Sequence, residues 1–145
     1  MILNVTEDVG CREIEVTIRC AELTESVQKL IDRIRNLDAL CECSAENYLM
    51  KANINDVYYF ESVDNRTFVY FEKQVRECSL KLYEVEKKYE KLGFLRISKN
   101  TIVNLYKIEK VKPMRNQKFM LLLLNGEKII VNRHYVPSFK EKFNI

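Results

Sequence analysis

The stretch FLRISKNTIVN, residues 94–104, decides how the fold of this chain is interpreted. Two apolar runs frame a polar and basic segment that contains no acidic residue. Such runs predict two short strands, and Ser98, Lys99 and Asn100 between them predict a loop aimed by the strand ends. A basic loop on a rigid sheet suits docking on a phosphate backbone, with one or two side chains left to reach base edges.

A second element with the same plan is KIIVNRHY, residues 128–135, in which Asn132 and Arg133 follow a predicted strand. Arginine can donate to both O6 and N7 of guanine, and asparagine can pair with N6 and N7 of adenine. The predicted connection before Phe119 carries cations that are better placed for phosphates than for bases. These cations are Lys107, Lys110, Lys112, Arg115 and Lys118.

The charge is distributed asymmetrically along the chain. Residues 1–43 contain five Lys/Arg and nine Asp/Glu, a net charge of −4, whereas residues 44–145 contain nineteen and twelve, a net charge of +7. From Phe94 onward the counts are eleven and three, a net charge of +8. A cationic footprint of this kind is typical of nucleic-acid binding, although a merely solvated basic tail has the same composition.

Several other classes of protein are disfavoured. The 145 residues suit one domain with a modest extension, and no apolar run long enough to span a membrane or to act as a signal sequence occurs, so we expect a cytoplasmic protein. The single histidine, His134, lies beside Arg133, and no nucleophile, metal or phosphate-loop motif is present, so we predict neither enzyme activity nor a cofactor. The five cysteines are odd in number and lack the spacing of a zinc site, so we predict neither a disulfide framework nor bound zinc. Cys20 is expected in the core.

The N-terminal part, residues 1–43, is predicted to be a small ββα extension. Residues 13–20 alternate polar and apolar without a fault and predict a strand, with residues 2–5 as its partner. Thr24 is expected to cap a helix. The apolar stripe of that helix is Val27, Leu30, Ile31, Ile34 and Leu37. Because the extension is acidic, we expect it to mediate self-association or bind a regulator, or else to complete the core, rather than to contact DNA.

The remaining residues, 44–145, predict a β-rich α+β domain after a connection at residues 40–46. Strands are predicted at residues 48–52, 57–61, 67–72, 94–97, 101–104, 119–124 and 128–131. A helix is predicted from a cap at Ser79 to about residue 92, ending at Gly93, and a short final helix has Pro137 in its first turn. Asn125-Gly126 predicts a hairpin between the last two strands.

The two basic elements, at this spacing, resemble the LytTR family of bacterial transcription regulators. The family signature runs Phe-x-Arg-x-x-(Arg/Lys)-Ser-x-x-Val-Asn, then an Asn-Gly turn, then Val-Ser-Arg-x-Tyr. The matching positions here are Phe94, Arg96, Lys99, Val103, Asn104, Asn125, Gly126, Val131, Arg133 and Tyr135. The resemblance covers residues 45–143. Asn100 and Asn132 stand where the family has serine, so the operator sequence does not carry over.

The resemblance implies a homodimer that binds double-stranded DNA at direct repeats near promoters, with strand-connecting loops in successive major grooves. It implies base contacts from Arg66 or Thr67, from Lys99 beside Ser98, and from Arg133. Arg96 and Asn104 are signature positions that are open to a structural role instead. The chain is similar to stand-alone members, which carry a short extension in place of a receiver domain and which, by analogy, are controlled by a membrane-protein inhibitor.

Two other functions stay open on the sequence. A basic interaction module would bind an acidic protein or an anionic membrane through charge alone. An RNA-binding β domain would need solvent-facing aromatic side chains on which bases stack, and Tyr58, Tyr59, Phe68 and Tyr70 are the candidates, although sheet packing explains them better.

Overall fold

The computed structural model describes residues 1–145 and contains three helices and ten strands. The helices are α1 (Glu25–Arg35), α2 (Leu82–Tyr89) and α3 (Val136–Phe143). The strands are β1 (Leu40–Ala45), β2 (Tyr48–Asn53), β3 (Tyr59–Val63), β4 (Arg66–Tyr70), β5 (Val75–Cys78), β6 (Phe94–Ser98), β7 (Thr101–Asn104), β8 (Ile108–Pro113), β9 (Phe119–Leu123) and β10 (Lys128–Val131). This β-rich α+β architecture is the predicted fold class.

The strands form two antiparallel sheets. A seven-stranded sheet has the order β2-β1-β5-β4-β3-β7-β6, and a three-stranded sheet has the order β10-β9-β8. The register of β6 against β7 shifts between Arg96 and Ser98, so Ile97 has no partner in the ladder. Its carbonyl instead accepts a hydrogen bond from the backbone N–H of Asn132 at 2.9 Å, which ties the two sheets together just beyond β10.

The seven-stranded sheet is the middle layer between two hydrophobic clusters. On one face α2 packs through Leu82, Val85 and Tyr89 against a core that includes Phe60 and Ile102. On the other face the three-stranded sheet and α3 bury a second cluster. This cluster includes Tyr58, Tyr59, Val103, Phe119, Leu121, Leu123, Val131 and Phe139. Consecutive residues of one strand point to opposite faces, and Ile102 and Val103 accordingly belong to different clusters.

The predicted helix of the extension is confirmed, whereas its two predicted strands are wrong. The Thr24 hydroxyl accepts a hydrogen bond from Val27 N–H at 3.4 Å, and the apolar stripe of α1 is partly buried. Residues 1–23 form no strand in this monomer, because no other strand lies beside them to supply backbone partners. Cys20, expected in the core, is exposed for the same reason.

Other sequence predictions are corrected in detail. The predicted connection at residues 40–46 is strand β1, so a domain boundary between residues 43 and 44 falls inside a strand. The basic connection before Phe119 contains strand β8, and β5 was not predicted. The cap predicted at Ser79 is wrong, because α2 begins at Leu82, and the Glu84 carboxylate accepts the N–H of Lys81 at 3.0 Å. Gly93 has the predicted left-handed conformation, with φ of +91°.

Candidate nucleic-acid interface

The backbone brings the predicted β3–β4 and β6–β7 loops to the same end of the seven-stranded sheet. Glu61 of β3 is paired with Thr101 of β7, and the backbone N–H of Ser62 donates to the Asn100 carbonyl at 2.8 Å. The hairpin tip that precedes Arg66 therefore lies next to the loop that carries Lys99.

Two further segments join the same end. The bond between Asn132 and Ile97 places the residues after β10 beside the end of β6. Phe119, the first residue of β9, is paired with Val131, the last of β10, so the β8–β9 loop also lies there. We call this surface the basic end. It comprises the β3–β4, β6–β7 and β8–β9 loops together with residues 132–134.

The β6–β7 loop is held by its own polar groups. The Ser98 hydroxyl accepts a hydrogen bond from Asn100 N–H at 3.2 Å, whereas Lys99 and Asn100 are exposed. Arg96 braces the loop from behind. Its guanidinium donates to the carbonyls of Ser98 at 3.3 Å and Lys99 at 2.8 Å, and to the Glu86 carboxylate at 2.8 Å. In this structure Arg96 therefore has the structural role that the sequence left open for it.

Asn104 also has a structural role. It is 3 % exposed, and its side-chain amide donates to the Val57 carbonyl at 2.8 Å while its amide oxygen accepts the N–H of Tyr106 at 3.1 Å. These bonds fix the start of β3 and the exit from β7, at the end of the sheet away from the basic end. The signature asparagine thus satisfies buried backbone groups.

Residues 132–134 are set rigidly by the fold. Asn132 is half-buried, and its carbonyl accepts the N–H of Tyr135 at 2.8 Å, which turns the chain into α3. Arg133 and His134 are exposed in this tight turn. The position therefore projects an arginine from a fixed backbone, as a base-reading side chain requires.

The β8–β9 hairpin supplies three exposed cations, Lys112, Arg115 and Lys118. Its tip turns through Asn116 and Gln117, whose φ angles are 64° and 60°, and is closed by a 2.8 Å bond from Met114 N–H to the Lys118 carbonyl. None of the three cations takes part in an ion pair. They are therefore available to a polyanion without loss of an existing partner.

Arg66 has a partner within the chain, in contrast to these three. Its guanidinium donates to both oxygens of Glu77 at 2.9 and 2.6 Å, and this ion pair holds the pKa of the Glu77 carboxyl below its usual value. Side chains in the pair are 61 % and 38 % exposed, so the interaction is weak and can exchange for a phosphate or a base. Thr67 is only 3 % exposed, which favours Arg66 in the predicted choice between the two.

The sequence did not identify Lys81 as part of this surface. Lys81 precedes α2, and its ammonium group donates to the Asn65 carbonyl at the β3–β4 tip at 3.2 Å. It reaches the basic end because β5 runs antiparallel to β4, with Cys78 opposite Thr67. No local pattern marks this lysine, since its position depends on a strand pairing that was not predicted.

The aromatic residues considered for base stacking are packed in the protein. Tyr58 and Tyr59 are 6 % and 7 % exposed, and burial raises the pKa of both hydroxyls. Tyr70 stacks on Tyr59 with ring centroids 4.2 Å apart, and Phe68 is half-buried. These side chains offer no open platform for unpaired bases.

A β-rich domain whose basic end is built from strand-connecting loops has the form of a nucleic-acid-binding domain. Residues 47–144 match the profile of the LytTr DNA-binding domain family, and the chain belongs to this family. It is similar in fold to the LytTr DNA-binding domain of a putative methyl-accepting/DNA response regulator from Bacillus cereus, with a TM-score of 0.69 and 24% identity, over 73% of this chain and 97% of that one.

Two curated relatives are similar over the full length. They are uncharacterised HTH-type transcriptional regulators of Staphylococcus aureus strains NCTC 8325 and COL. Each is 29% identical to this chain over 149 residues, which cover 100% of this chain and 99% of the relative. The similarity therefore includes the N-terminal extension as well as the DNA-binding domain. No helix of the structure combines the length and apolarity that a membrane span requires.

Proposed function

We propose that this protein is a transcription regulator that reads double-stranded DNA by inserting the loops of its basic end into the major groove. The observation that carries the proposal is the convergence of four separate segments, from both sheets, on one end where every exposed cation except Arg66 and the lysine beside it, Lys81, belongs to these segments and has no ion-pair partner. The similarity to two HTH-type transcriptional regulators of S. aureus supports a role in transcription.

Strand-connecting loops, rather than a helix, are the reading elements in this proposal. Arg133 and the pair Lys99 and Asn100 project from turns fixed by backbone hydrogen bonds, and they contact base edges. Lys112, Arg115 and Lys118 contact phosphates and set the register of the protein on the duplex. Arg66 joins them by exchanging Glu77 for DNA.

The finer features of the proposal come from the family resemblance. The bound form is a homodimer on direct repeats near a promoter. A cytoplasmic location also belongs to the proposal, as expected from the sequence alone. Exposed Asn100 and half-buried Asn132 replace the usual serines, so the operators of other members are not carried over to this chain. Control by a membrane-protein inhibitor belongs to the proposal by analogy only.

Selection of bound fragments from the DNA of the source organism, followed by footprinting, tests the proposal. A sequence-specific reader enriches a common motif and protects it at discrete positions. A basic module for an acidic protein or an anionic membrane would bind duplexes through charge alone and leave no protected site. An excess of single-stranded RNA should compete poorly, and strong competition would favour RNA binding.

A further inference from the structure

The outer edge of the seven-stranded sheet carries an exposed apolar strand. Strand β2 is paired with β1 on one side and with no strand on the other. Tyr48 is 72 % exposed, Leu49 92 % and Met50 36 %. An apolar strand with an open edge is a template for pairing with another strand.

A second segment of the same chain has the sequence pattern of a strand but lacks a strand to pair with. Residues 13–18 alternate polar and apolar as a half-buried strand does, yet Ile14 is 94 % and Val16 58 % exposed. Residues 12–21 take part in no backbone hydrogen bond. The segment therefore has the pattern of a strand but no neighbour to pair with.

The β1–β2 turn determines which backbone groups of β2 face outward. Glu46 and Asn47 have φ angles of 50° and 68°, which is the two-residue hairpin turn closed by the pair Ala45 and Tyr48. Hydrogen-bonded and non-hydrogen-bonded pairs alternate from that closing pair. The N–H and C=O groups of Leu49, Lys51 and Asn53 therefore point away from β1.

We propose that residues 13–18 of a second copy of this chain add to β2 as an antiparallel strand, with Val16 opposite Met50. Ile14 then lies opposite Ala52, and Ile18 opposite Tyr48. These apolar pairs extend the face on which Cys41 and Cys43 of β1 are buried, because Cys41 is paired with Ala52 and Cys43 with Met50.

Charge complementarity supports this register. On the opposite face Glu15 comes to lie beside Lys51, whose partner on β1 is Glu42, so the lysine lies between two carboxylates. A slip of one residue turns the apolar side chains to the wrong face. A slip of two residues in one direction puts Thr17 opposite Lys51. In the other direction Glu13 takes the place of Glu15, but Ile18 then lies beyond Tyr48, the first residue of β2, and loses its apolar partner.

Reciprocal exchange makes a closed assembly. Each copy carries both the donor segment and the open edge, so two copies pair with each other about a two-fold axis and leave neither the edge of β2 nor residues 13–18 without a backbone partner. The inference concerns assembly without DNA, and its failure would leave the proposed DNA reading intact.

Sedimentation of the full-length protein without DNA, over a range of concentrations, tests the proposal. The wild-type chain is expected to form a dimer. Thr17→Pro removes an N–H that bonds to Leu49 in this register and should weaken dimerisation about tenfold or more. Thr17 is exposed and unbonded in the monomer, so the fold is unaffected, as circular dichroism will check. Val9→Pro, outside the segment and also at an exposed position, is the matched control and should remain dimeric.

A charge swap tests the register itself. Glu15→Lys and Lys51→Glu should each weaken the dimer about fivefold, because an exposed ion pair contributes only modestly to the free energy of association. The double variant restores a pair of opposite charges and should regain most of the lost affinity. The proposal is overturned if the wild-type chain stays monomeric, as it would if residues 13–18 paired with β2 of the same copy. It is equally overturned by a Thr17→Pro dimer as tight as wild type, as direct β2–β2 pairing would give, or by no rescue in the double variant.

Discussion

At the scale of single residues, the proposed function gives the exposed arginines and lysines of the basic end two different roles: some side chains would contact bases, and others would contact phosphates. Arg133 stands on a turn fixed by the Asn132 and Tyr135 backbone, whereas Lys112 lies on β8 with its side chain in solvent. A fixed arginine can distinguish bases, and a flexible lysine contributes mainly charge.

Arg133→Ala is therefore expected to cost about 1–3 kcal/mol on the preferred site and to relax the preference at one base position. Lys112→Ala should weaken binding to all sequences alike. Competition binding against a set of single-base variants of the selected site measures both. An unchanged preference in Arg133→Ala would assign the reading to another residue of the basic end.

Arg96, unlike Arg133, is a signature arginine whose guanidinium N–H groups donate hydrogen bonds within the protein. Arg96→Ala removes three hydrogen bonds, to Ser98, Lys99 and Glu86. Because the pair with Glu86 is partly solvated, we expect a loss of only about 1–2 kcal/mol in the free energy of unfolding by urea.

Lys99→Ala is the matched control for Arg96→Ala. It lies in the same loop but is exposed, so its free energy of unfolding should stay within about 0.5 kcal/mol of wild type while its DNA affinity falls. If Arg96→Ala keeps full stability and only DNA binding suffers, the guanidinium contacts DNA and does not brace the loop.

At the scale of elements, the strands that are short runs rich in apolar residues were predictable from the sequence. Strands β6, β7, β9 and β10 are such runs, and the loops predicted from them form most of the basic end. Strand β8 was missed because a bulge between Ile108 and Lys110 puts Ile108 and Val111, three residues apart, on the same face. Strand β1 was missed because its buried residues are Cys41 and Cys43, small side chains in a strand whose remaining residues form no apolar pattern.

Which strands pair with each other was not predictable from the sequence. This explains both the contacts that were missed and the strand that was predicted but is not formed. Lys81 reaches the basic end only through the pairing of β5 with β4. The bidentate bond of Arg66 to Glu77 depends on the same pairing, since the two residues are eleven apart in sequence. Residues 13–20 have a strand pattern without a strand, because a pattern states which face is apolar but not what covers it.

Strand β1 sets where the chain can be cut. A fragment that begins at residue 44 loses Cys41 and Cys43 from the core and should lose about 3–5 kcal/mol of stability. A fragment that begins at residue 24 keeps every strand and should unfold like the full chain when both are compared as monomers. Urea denaturation measured at low protein concentration makes the comparison. Equal stability of the two fragments would mean that β1 adds little to the fold.

At the scale of the whole molecule, the basic and acidic parts of the sequence also occupy different parts of the structure. Basic loops from both sheets lie at one end. Eight of the nine acidic residues in the first 43 positions precede β1, in the segment that contacts the domain through α1. The location of the cations at the basic end, rather than the net charge of the protein, should therefore determine the affinity for DNA.

The salt dependence of binding tests this distribution. If Arg66, Lys112, Arg115 and Lys118 each neutralise one phosphate, the log–log slope of affinity against salt should be about −3.6. Replacing Lys112, Arg115 and Lys118 together by alanine should make the slope shallower by about 2.7, because three counterions are no longer released. The control replaces Lys87, Lys88 and Lys91, which removes the same charge from exposed positions on and just after α2. If both triple variants change the slope equally, DNA responds to the net charge of the protein and the basic end has no special place in binding.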